Sequence, residues 1–460
     1  MRFKLPLFFF GLFVLLLAAR MCHVGILWAE EGLPLASAGQ MLQGKTLYRD
    51  IWFDKPPLLA AAYLLLGARD GWPLRLAGAL YALLACWIAY RFAREVWSQR
   101  EGVWAAGLLG FFLIFDLPSG VIPVASDLLL LAPHLAAVWL AWKRRPFWCG
   151  AVQGIAFLIS PKAVFVGAAC LLFDFGGVWL MAAGFAAVSG VAAAWLAASG
   201  ALVPFWDEVF RWGRLYAAAP LTESPLRNGV LRTLNWAGFH VALVIAAIWF
   251  LWRSKTWQWA AWCALCLIGV AAGWRFFPRY YFLLLAPITL AAARGFALLG
   301  RKRDFVALLL LIPATRFGPR YVYLATGHAE WADTAMDRDS RRAAALTRQL
   351  SHPGDTLFVW GFRPELYVYT HLVAGTRFLD SQPLTGVPAD RHLTQSEPLE
   401  TTAAHVRREE LARSNPTFLI DGLSLYNPHL AIARYPELRA WSAHYREVAR
   451  TTGTIIYRRE

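Results

Sequence analysis

Long apolar runs separated by short charged segments are the feature that most constrains this chain. Hydrophobic residues make up 58% of its 460 positions, charged residues only 16%, and there are 23 tryptophans. A soluble globular chain does not have this composition. Because a helix needs about 20 apolar residues to cross the hydrocarbon core of a bilayer, the sequence predicts an α-helical polytopic membrane protein.

The apolar runs predict about 11 spans, of which the fifth and sixth are short. We place them at residues 5–28, 73–92, 102–118, 125–142, 147–160, 163–174, 176–200, 234–252, 256–273, 280–298 and 304–319. The first run is too long for a cleaved signal peptide and lacks a small-residue cleavage site, so we expect it to remain as a span.

The cations between the spans predict the orientation. Lysine and arginine are favoured in cytoplasmic loops, and with this span count the clustered cations fall on one side, which we expect to be the cytoplasm. They are Arg2, Lys4, Arg91, Arg94, Arg100, Lys143, Arg144, Arg145, Arg253, Lys255, Arg301, Lys302 and Arg303. The formal net charge of +15 is therefore topological, and no nucleic-acid partner is predicted. We expect a multi-pass protein of the cell (inner) membrane, with its N-terminus in the cytoplasm.

The chain changes character near residue 320. Residues 1–319 hold the apolar runs, whereas residues 320–460 are more polar and read as an extracytoplasmic α/β domain. Its expected helices are Glu330–Leu350 and Thr401–Ala412, and its expected strands are Thr356–Trp360, Thr417–Ile420 and Thr454–Tyr457. Turn residues separate these segments.

The first loop outside the cytoplasm, residues 29–72, concentrates charge beside the bilayer. It carries the adjacent carboxylates Glu30 and Glu31 and, further on, Lys55 before two prolines. Charges kept against a membrane mark functional sites. Two short apolar segments of this loop are predicted to be helices that lie in the plane of the membrane interface. They are Leu35–Leu42, preceded by Pro34, and Leu58–Leu66.

These residue types suit glycosyl transfer from a lipid-linked phosphate. A carboxylate can remove a proton from an acceptor hydroxyl, and nearby cations can neutralise an anionic leaving group. The predicted outer side supplies the cations Lys55, Lys162, Arg275 and Arg279. Because a phosphate leaves as an anion without a general acid, one base and fixed positive charges would suffice. The donor would be a polyprenyl-phosphate sugar.

Several segments carry recognisable motifs. They are Glu30-Glu31-Gly32, Gly44, Leu47-Tyr48-Arg49-Asp50 and Lys55-Pro56-Pro57, then GIAFLISPK at 154–162, RFFPRYYFLLLAP at 275–287, and PGDTLFVWGFRPELYV at 353–368 with DGLSLYNP and YPEL downstream. Together they resemble the GT-C membrane glycosyltransferases of the aminoarabinose transferase and protein mannosyltransferase type. The resemblance spans nearly the whole chain.

The resemblance implies a GT-C fold of about 11 spans with a C-terminal α/β extracytoplasmic domain. It implies an inverting hexosyl- or pentosyltransferase that moves a sugar from a polyprenyl-phosphate donor to a hydroxyl of a lipid, glycan or protein acceptor. Relatives usually carry Asp-Glu, with the Asp as the catalytic base, where this chain has two glutamates. Glu30 aligns with that Asp, but its side chain is one methylene longer, so the base is either Glu30 or Glu31. The implied substrate- and phosphate-binding residues are Lys55, Lys162, Arg275, Arg279, Asp127 and Tyr280. No cofactor is predicted: the resemblance leaves a divalent metal open, but no ligand cluster in the sequence demands one.

Each of these residues also has a structural explanation. Glu30 could interact with a helix dipole, Lys55 and Lys162 could extend to lipid headgroups, and Asp127 could cap a helix rather than orient the acceptor. A transporter or flippase for a lipid-linked glycan is the alternative function. Such a protein would need the cations but no base, and its usual inverted repeats are not visible in the sequence.

Overall fold

A computed structural model describes residues 5–218, 224–328, 330–387 and 394–460. Arg2 and Lys4, used above for the orientation, lie outside the described residues. The helices of the first part are α1 Leu5–Met21, α2 Ala29–Leu42, α3 Pro57–Leu65, α4 Trp72–Val96, α5 Gln99–Phe112, α6 Pro118–Val121, α7 Ser126–Trp142, α8 Pro146–Phe157, α9 Ala163–Phe173, α10 Val178–Ala198, α11 Leu202–Phe205, α12 Trp212–Ala218, α13 Pro225–Phe239, α14 Val241–Ser254, α15 Trp257–Ala271, α16 Phe282–Leu298, α17 Arg303–Leu308 and α18 Leu311–Ala325. A π-helix covers Trp206–Arg211, and a 3₁₀ turn, Pro278–Tyr281, precedes α16.

Every predicted span contains a helix, but few of these helices are long enough to cross a bilayer alone. Within the described residues, four helical stretches are long and apolar enough to cross a membrane: Trp72–Val96, Phe175–Ala198, Pro278–Leu298 and Gly300–Ala325. A fifth would be α13 and α14 taken together, which bend by 91°. The number of 11 spans stays a prediction. The span predicted at 234–252 is not one continuous helix, because α13 ends at Phe239 and α14 begins at Val241.

The stretch that contains α16 is the centre of the helical part. Of the residues in its most apolar stretch, 83% are buried, against 56% or less for the other three candidate spans. Helix α16 packs against α4, α5, α7, α14 and α15. Small residues allow helices to approach closely within a membrane, and α16 carries a fully buried alanine run, Ala291–Ala293.

Helices α8 and α10 cross so closely that only glycine fits at the contact. A Cβ added to Gly184 would lie 2.0 Å from the Phe147 carbonyl oxygen, and one added to Gly150 would lie 1.8 Å from the Met181 carbonyl oxygen. Backbone atoms cannot move aside without displacing a whole helix. The sequence alone gives no sign that these glycines differ from the others in apolar runs.

We expect Gly184→Ala to destabilise the protein by about 1–3 kcal/mol through overpacking. The direction is informative, because alanine is otherwise better than glycine in a helix by about 1 kcal/mol. Gly190→Ala in the same helix is the control, since a Cβ there meets nothing within 4 Å. Thermal unfolding in detergent measures both variants. Equal melting temperatures for the two would contradict the close crossing.

The C-terminal part is an α/β structure, as predicted. Its elements are α19 Ala332–Leu350, β1 Thr356–Trp360, α20 Glu365–Thr370, β2 Val373–Ala374, α21 Gln382–Thr385, α22 Thr402–Ala412, β3 Phe418–Asp421, α23 Pro436–Ser442, β4 Tyr445–Arg450 and β5 Ile455–Arg459. The strand order is β2-β1-β3-β5-β4. Strand β1 runs parallel to β2 and β3, and β5 runs antiparallel to β3 and β4. The predicted domain boundary after residue 319 falls inside α18, and the division into two domains stays a prediction.

The helix that carries the acidic pair differs from the prediction in extent and in surroundings. It begins at Ala29, so Pro34 lies inside α2 and not at its start. Leu33, Leu35 and Ala38 are buried, and α2 packs against α3 and α20. Protein therefore covers the apolar residues of α2, and its predicted position in the plane of the membrane interface stays a prediction.

Hydrogen bonds connect the C-terminal part to the first loop. The Gln40 side chain donates to the Leu372 carbonyl at 3.1 Å and accepts from the Ala374 N–H at 2.8 Å. The Leu27 N–H donates to Asp337 Oδ1 at 3.1 Å. These contacts lie at both ends of α2. They hold α2, and with it the acidic pair, against the C-terminal part.

Candidate active site

Five of the predicted site residues meet in one charged cluster. Glu30 forms an ion pair with Arg279. Asp127 lies between two cations: its Oδ2 is 3.8 Å from Arg279 Nε, and its Oδ1 is 3.5 Å from Lys162 Nζ. Lys162 Nζ also lies 3.1 Å from the centroid of the Tyr280 ring. The exposed fraction of these charged side chains ranges from 10% for Asp127 to 26% for Arg279.

Helix starts bring these residues together. Glu30 and Asp127 lie in the first turns of α2 and α7, and Lys162 immediately precedes α9. Arg279 and Tyr280 lie in the 3₁₀ turn that leads into α16. A helix N-terminus carries partial positive charge and unsatisfied N–H groups. The cluster therefore forms where several positive helix ends meet, which favours an anionic ligand.

Lys55 and Arg275 lie beside this cluster and belong to two further contacts. Lys55 Nζ is 2.6 Å from Asp54 Oδ2. Partial burial lowers the pKa of the Lys55 ammonium, but the Asp54 carboxylate, with smaller contributions from Tyr280 and Asp380, raises it above its ordinary value. Lys55 therefore stays protonated, within electrostatic range of Tyr280.

Tyr216 connects Arg275 to the cluster. The guanidinium carbon of Arg275 lies 3.8 Å from the centroid of the Tyr216 ring, and Arg275 Nε donates to the Tyr216 carbonyl at 3.2 Å. The hydroxyls of Tyr216 and Tyr280 are 3.2 Å apart. Arg275 is thus one residue removed from the Glu30 cluster. Its cation faces an aromatic ring, an arrangement that retains a positive charge near the site.

Glu31 has different surroundings from Glu30. Its carboxylate accepts hydrogen bonds from Arg75 Nη1 at 2.7 Å and Arg75 Nη2 at 2.8 Å. The Val124 N–H donates to Oε1 at 2.9 Å, and the Trp28 N–H lies 3.4 Å from Oε2. The Glu31 side chain is 0% exposed and that of Arg75 only 1%. Both oxygens of Glu31 are therefore committed to internal bonds, away from the cluster.

Sequence reasoning missed two residues of this region. Tyr216 lies in a segment without a recognisable motif, and only its contact with Tyr280 reveals it. Arg75 could have been found, because a lone arginine inside an apolar run needs a partner. In the described parts of the chain, no group of three or more His, Cys, Asp or Glu side chains is placed to hold a metal ion.

A sequence comparison matches part of this region. A profile of the family described as dolichyl-phosphate-mannose-protein mannosyltransferase matches residues 54–206. The match begins at Asp54, includes Lys55, Asp127 and Lys162, and covers less than half of the chain. A search of curated protein sequences gave no match.

Solved structures that resemble the whole chain decide the fold. The crystal structure of ArnT from Cupriavidus metallidurans bound to undecaprenyl phosphate is 14% identical, with 99% of this chain and 98% of that chain covered, and gives a TM-score of 0.62. The apo structure of ArnT from the same organism gives a TM-score of 0.58 at 14% identity, with 98% of this chain and 97% of that chain covered. The chain has the GT-C membrane glycosyltransferase fold.

The GT-C fold extends to a more distant structure. The apo oligosaccharyltransferase of Archaeoglobus fulgidus is 14% identical, with 98% of this chain and 74% of that chain covered, at a TM-score of 0.51. The resemblance predicted from the sequence motifs is thereby confirmed at the level of the fold. Within this fold, hydrogen bonds join α2, which carries Glu30, to the C-terminal part, and Asp380 of the C-terminal part lies within electrostatic range of Lys55.

Proposed function

We propose that this protein is an inverting glycosyltransferase that moves a sugar from a polyprenyl-phosphate donor to an acceptor hydroxyl at the extracytoplasmic face of the membrane. The observation that carries the proposal is the cluster of Glu30, Asp127, Lys162 and Arg279 with Lys55 beside it. It combines a partly exposed carboxylate with several fixed cations. The GT-C fold and the undecaprenyl phosphate bound to ArnT support this assignment.

Glu30 is the proposed base. Its carboxylate is partly exposed, with 22% of the side chain accessible, whereas both oxygens of Glu31 are occupied and buried. Glu30 takes the proton of the acceptor hydroxyl as the acceptor oxygen bonds to the anomeric carbon of the sugar. The bond from that carbon to the phosphate oxygen breaks on the opposite face, so the anomeric configuration inverts. Polyprenyl phosphate leaves with the bonding electrons.

Lys55, Arg279, Lys162 and Arg275 are the proposed phosphate-binding cations. Arg279 has a second role, because it is paired with Glu30 in this structure. A donor phosphate would compete for Arg279 and release the Glu30 carboxylate for the proton transfer. Donor binding would thus prepare the base. In this proposal fixed cations neutralise the leaving group, and no step draws on a metal or another cofactor.

Asp127 and Tyr280 are proposed to keep these cations in place. Asp127 contacts both Arg279 and Lys162, and Tyr280 contacts Lys162 and Tyr216. The acceptor is a hydroxyl of a lipid, a glycan or a protein. The partner molecules are then the lipid-linked donor, that acceptor and the surrounding membrane lipids, with the first loop and the C-terminal part facing away from the cytoplasm.

The test combines a binding measurement with a cellular one. We expect Lys55→Ala to weaken the binding of undecaprenyl phosphate to the purified protein by about 10- to 100-fold, because a hydrogen bond to a charged group contributes on this scale. Cell-envelope glycans from a strain that lacks this chain should lose one sugar by mass spectrometry. The same sugar should stay absent when Lys55→Ala replaces the natural protein.

Lys302→Ala is the matched control. Lys302 lies in a 3₁₀ turn before α17, at the far end of α16 from Arg279, and is exposed. We expect it to leave phosphate binding and the envelope glycans unchanged. If Lys55→Ala binds undecaprenyl phosphate as tightly as the natural protein, or if the envelope glycans of the deletion strain are complete, the proposed function is wrong. A transporter would instead bind the phosphate and require no Glu30.

A further inference from the structure

The segment that leads to Lys55 is enclosed between two distant parts of the chain. Tyr48, Ile51, Trp52 and Phe53 are all at most 3% exposed. Glu208 of the π-helix Trp206–Arg211 and Arg377 of the C-terminal part both bond to the backbone of this segment. The exposed fraction of the Lys55 side chain is by contrast 42%. A buried segment therefore presents an accessible cation, which is paired with Asp54.

One connection runs from Arg377 through Tyr48 to Lys55. Arg377 Nη2 donates to the Tyr48 carbonyl at 3.1 Å, and the Tyr48 hydroxyl donates to the Lys55 carbonyl at 2.7 Å. Burial, together with the Asp54 carboxylate, raises the pKa of Tyr48 well above its ordinary value, so this hydroxyl remains a donor. Tyr48 has φ of +67°, a conformation that residues other than glycine adopt only where their contacts impose it.

A second connection runs from Glu208 to the same segment. Glu208 is 2% exposed and lies in the π-helix, a distortion frequent at functional positions. Its Oε2 accepts the Phe53 N–H at 2.8 Å, and its Oε1 pairs with Arg377. The Trp52 N–H donates to the Arg377 carbonyl at 2.7 Å. Since a buried carboxylate is costly without such partners, Glu208 and Arg377 depend on each other and on this segment.

We propose that Glu208 and Arg377 are positioning residues that set where the Lys55 ammonium meets the donor phosphate. Through them the C-terminal part controls phosphate binding without touching the phosphate. The inference rests on the proposed function, because it assumes that Lys55 binds phosphate. Neither residue lies within the segment 54–206 that matches the mannosyltransferase family, so that match does not imply the role.

The expected result is a loss of phosphate affinity in a protein that still folds. A displacement of a functional group by about 1 Å can cost on the order of 100-fold, and we expect Glu208→Gln and Arg377→Ala to weaken binding of undecaprenyl phosphate at least about tenfold. Arg377→Lys should recover part of the affinity, because it keeps the charge opposite Glu208. Tyr48→Phe removes a single hydroxyl, and we expect about a 2- to 10-fold loss.

A double-mutant cycle tests whether these residues act through Lys55. In a Lys55→Ala background, Glu208→Gln and Tyr48→Phe should each change the affinity less than about twofold, since residues of one network are not additive. Full additivity would overturn the inference. If Glu208→Gln does not yield folded protein, Tyr48→Phe and Arg377→Lys carry the same test. The dissociation constant is measured on folded, monodisperse protein, so a general loss of stability does not imitate the effect.

Asp339→Asn is the matched control. Asp339 Oδ2 pairs with Arg363 Nη1 at 2.6 Å in the C-terminal part, with 12% and 5% of the side chains exposed, and neither residue contacts the segment 48–55. We expect lower thermal stability with unchanged phosphate affinity. If Lys55→Ala weakens binding but Glu208→Gln, Arg377→Ala and Tyr48→Phe do not, the inference alone is wrong. If Lys55→Ala itself has no effect, the proposed function and the inference fail together.

Discussion

Glu30→Gln is expected to reduce sugar transfer by about 10²- to 10⁴-fold, the range that a positioned general base contributes. The substitution keeps the shape of the side chain and removes its ability to accept a proton. Because Glu30 is paired with Arg279, the same change should leave binding of undecaprenyl phosphate unchanged or make it tighter. Loss of transfer with retained phosphate binding is the specific signature of this residue. Both are measured on one purified preparation.

Glu30→Asp provides the graded control. It keeps a carboxylate but moves it by about 1.5 Å, the length of one carbon–carbon bond, so transfer should fall less than in Glu30→Gln. Glu447→Gln changes an exposed acid on β4, paired with Arg450 at 2.8 Å, and should leave transfer unchanged. Transfer by Glu30→Gln at the natural rate would show that Glu30 is not the base.

Glu31→Ala is expected to destabilise the protein by about 3–5 kcal/mol, because it leaves the Arg75 guanidinium buried without its partner. The substitution also removes the acceptor of the Val124 N–H. The main expected effect is therefore a lower yield of folded protein and a lower melting temperature. The fraction that folds should bind undecaprenyl phosphate with nearly natural affinity, since Glu31 lies outside the Glu30 cluster.

Two further variants separate this explanation from catalysis. Replacing both partners, Glu31→Leu with Arg75→Met, should be less destabilising than Glu31→Ala alone, because no buried charge is left uncompensated. Glu447→Gln, at an exposed ion pair, should leave the melting temperature nearly unchanged. A Glu31→Ala protein of natural stability that has lost transfer would contradict the structural role and make Glu31 a candidate base.

The secondary structure was largely predictable from local patterns. The prediction of β1 as Thr356–Trp360 is confirmed residue for residue, and the helix expected at Thr401–Ala412 is α22. Strand β4 was missed, because its residues Tyr445–Arg450 are mostly exposed and lack an apolar run. Their place in the sheet depends on pairing with β5, which a local pattern does not contain.

The candidate site was predictable as a set of residues but not as an arrangement. Charges beside apolar runs identified Glu30, Lys55, Lys162 and Arg279, since such charges are rare and costly near a membrane. The resemblance aligned Glu30 with the usual base, but the sequence left open whether Glu30 or Glu31 has that role. In a helix, neighbouring residues point about 100° apart, so one carboxylate meets Arg279 and the other meets Arg75.

The amino-acid sequence by itself determined the class of the protein, a polytopic helical membrane chain with a polar α/β C-terminal part. It did so because hydropathy and periodicity act over short stretches of chain. Only the tertiary structure decided which glutamate faces the cations and that Glu208 and Arg377 hold the segment before Lys55. Those relations join residues far apart along the chain, and packing alone brings them within hydrogen-bonding distance.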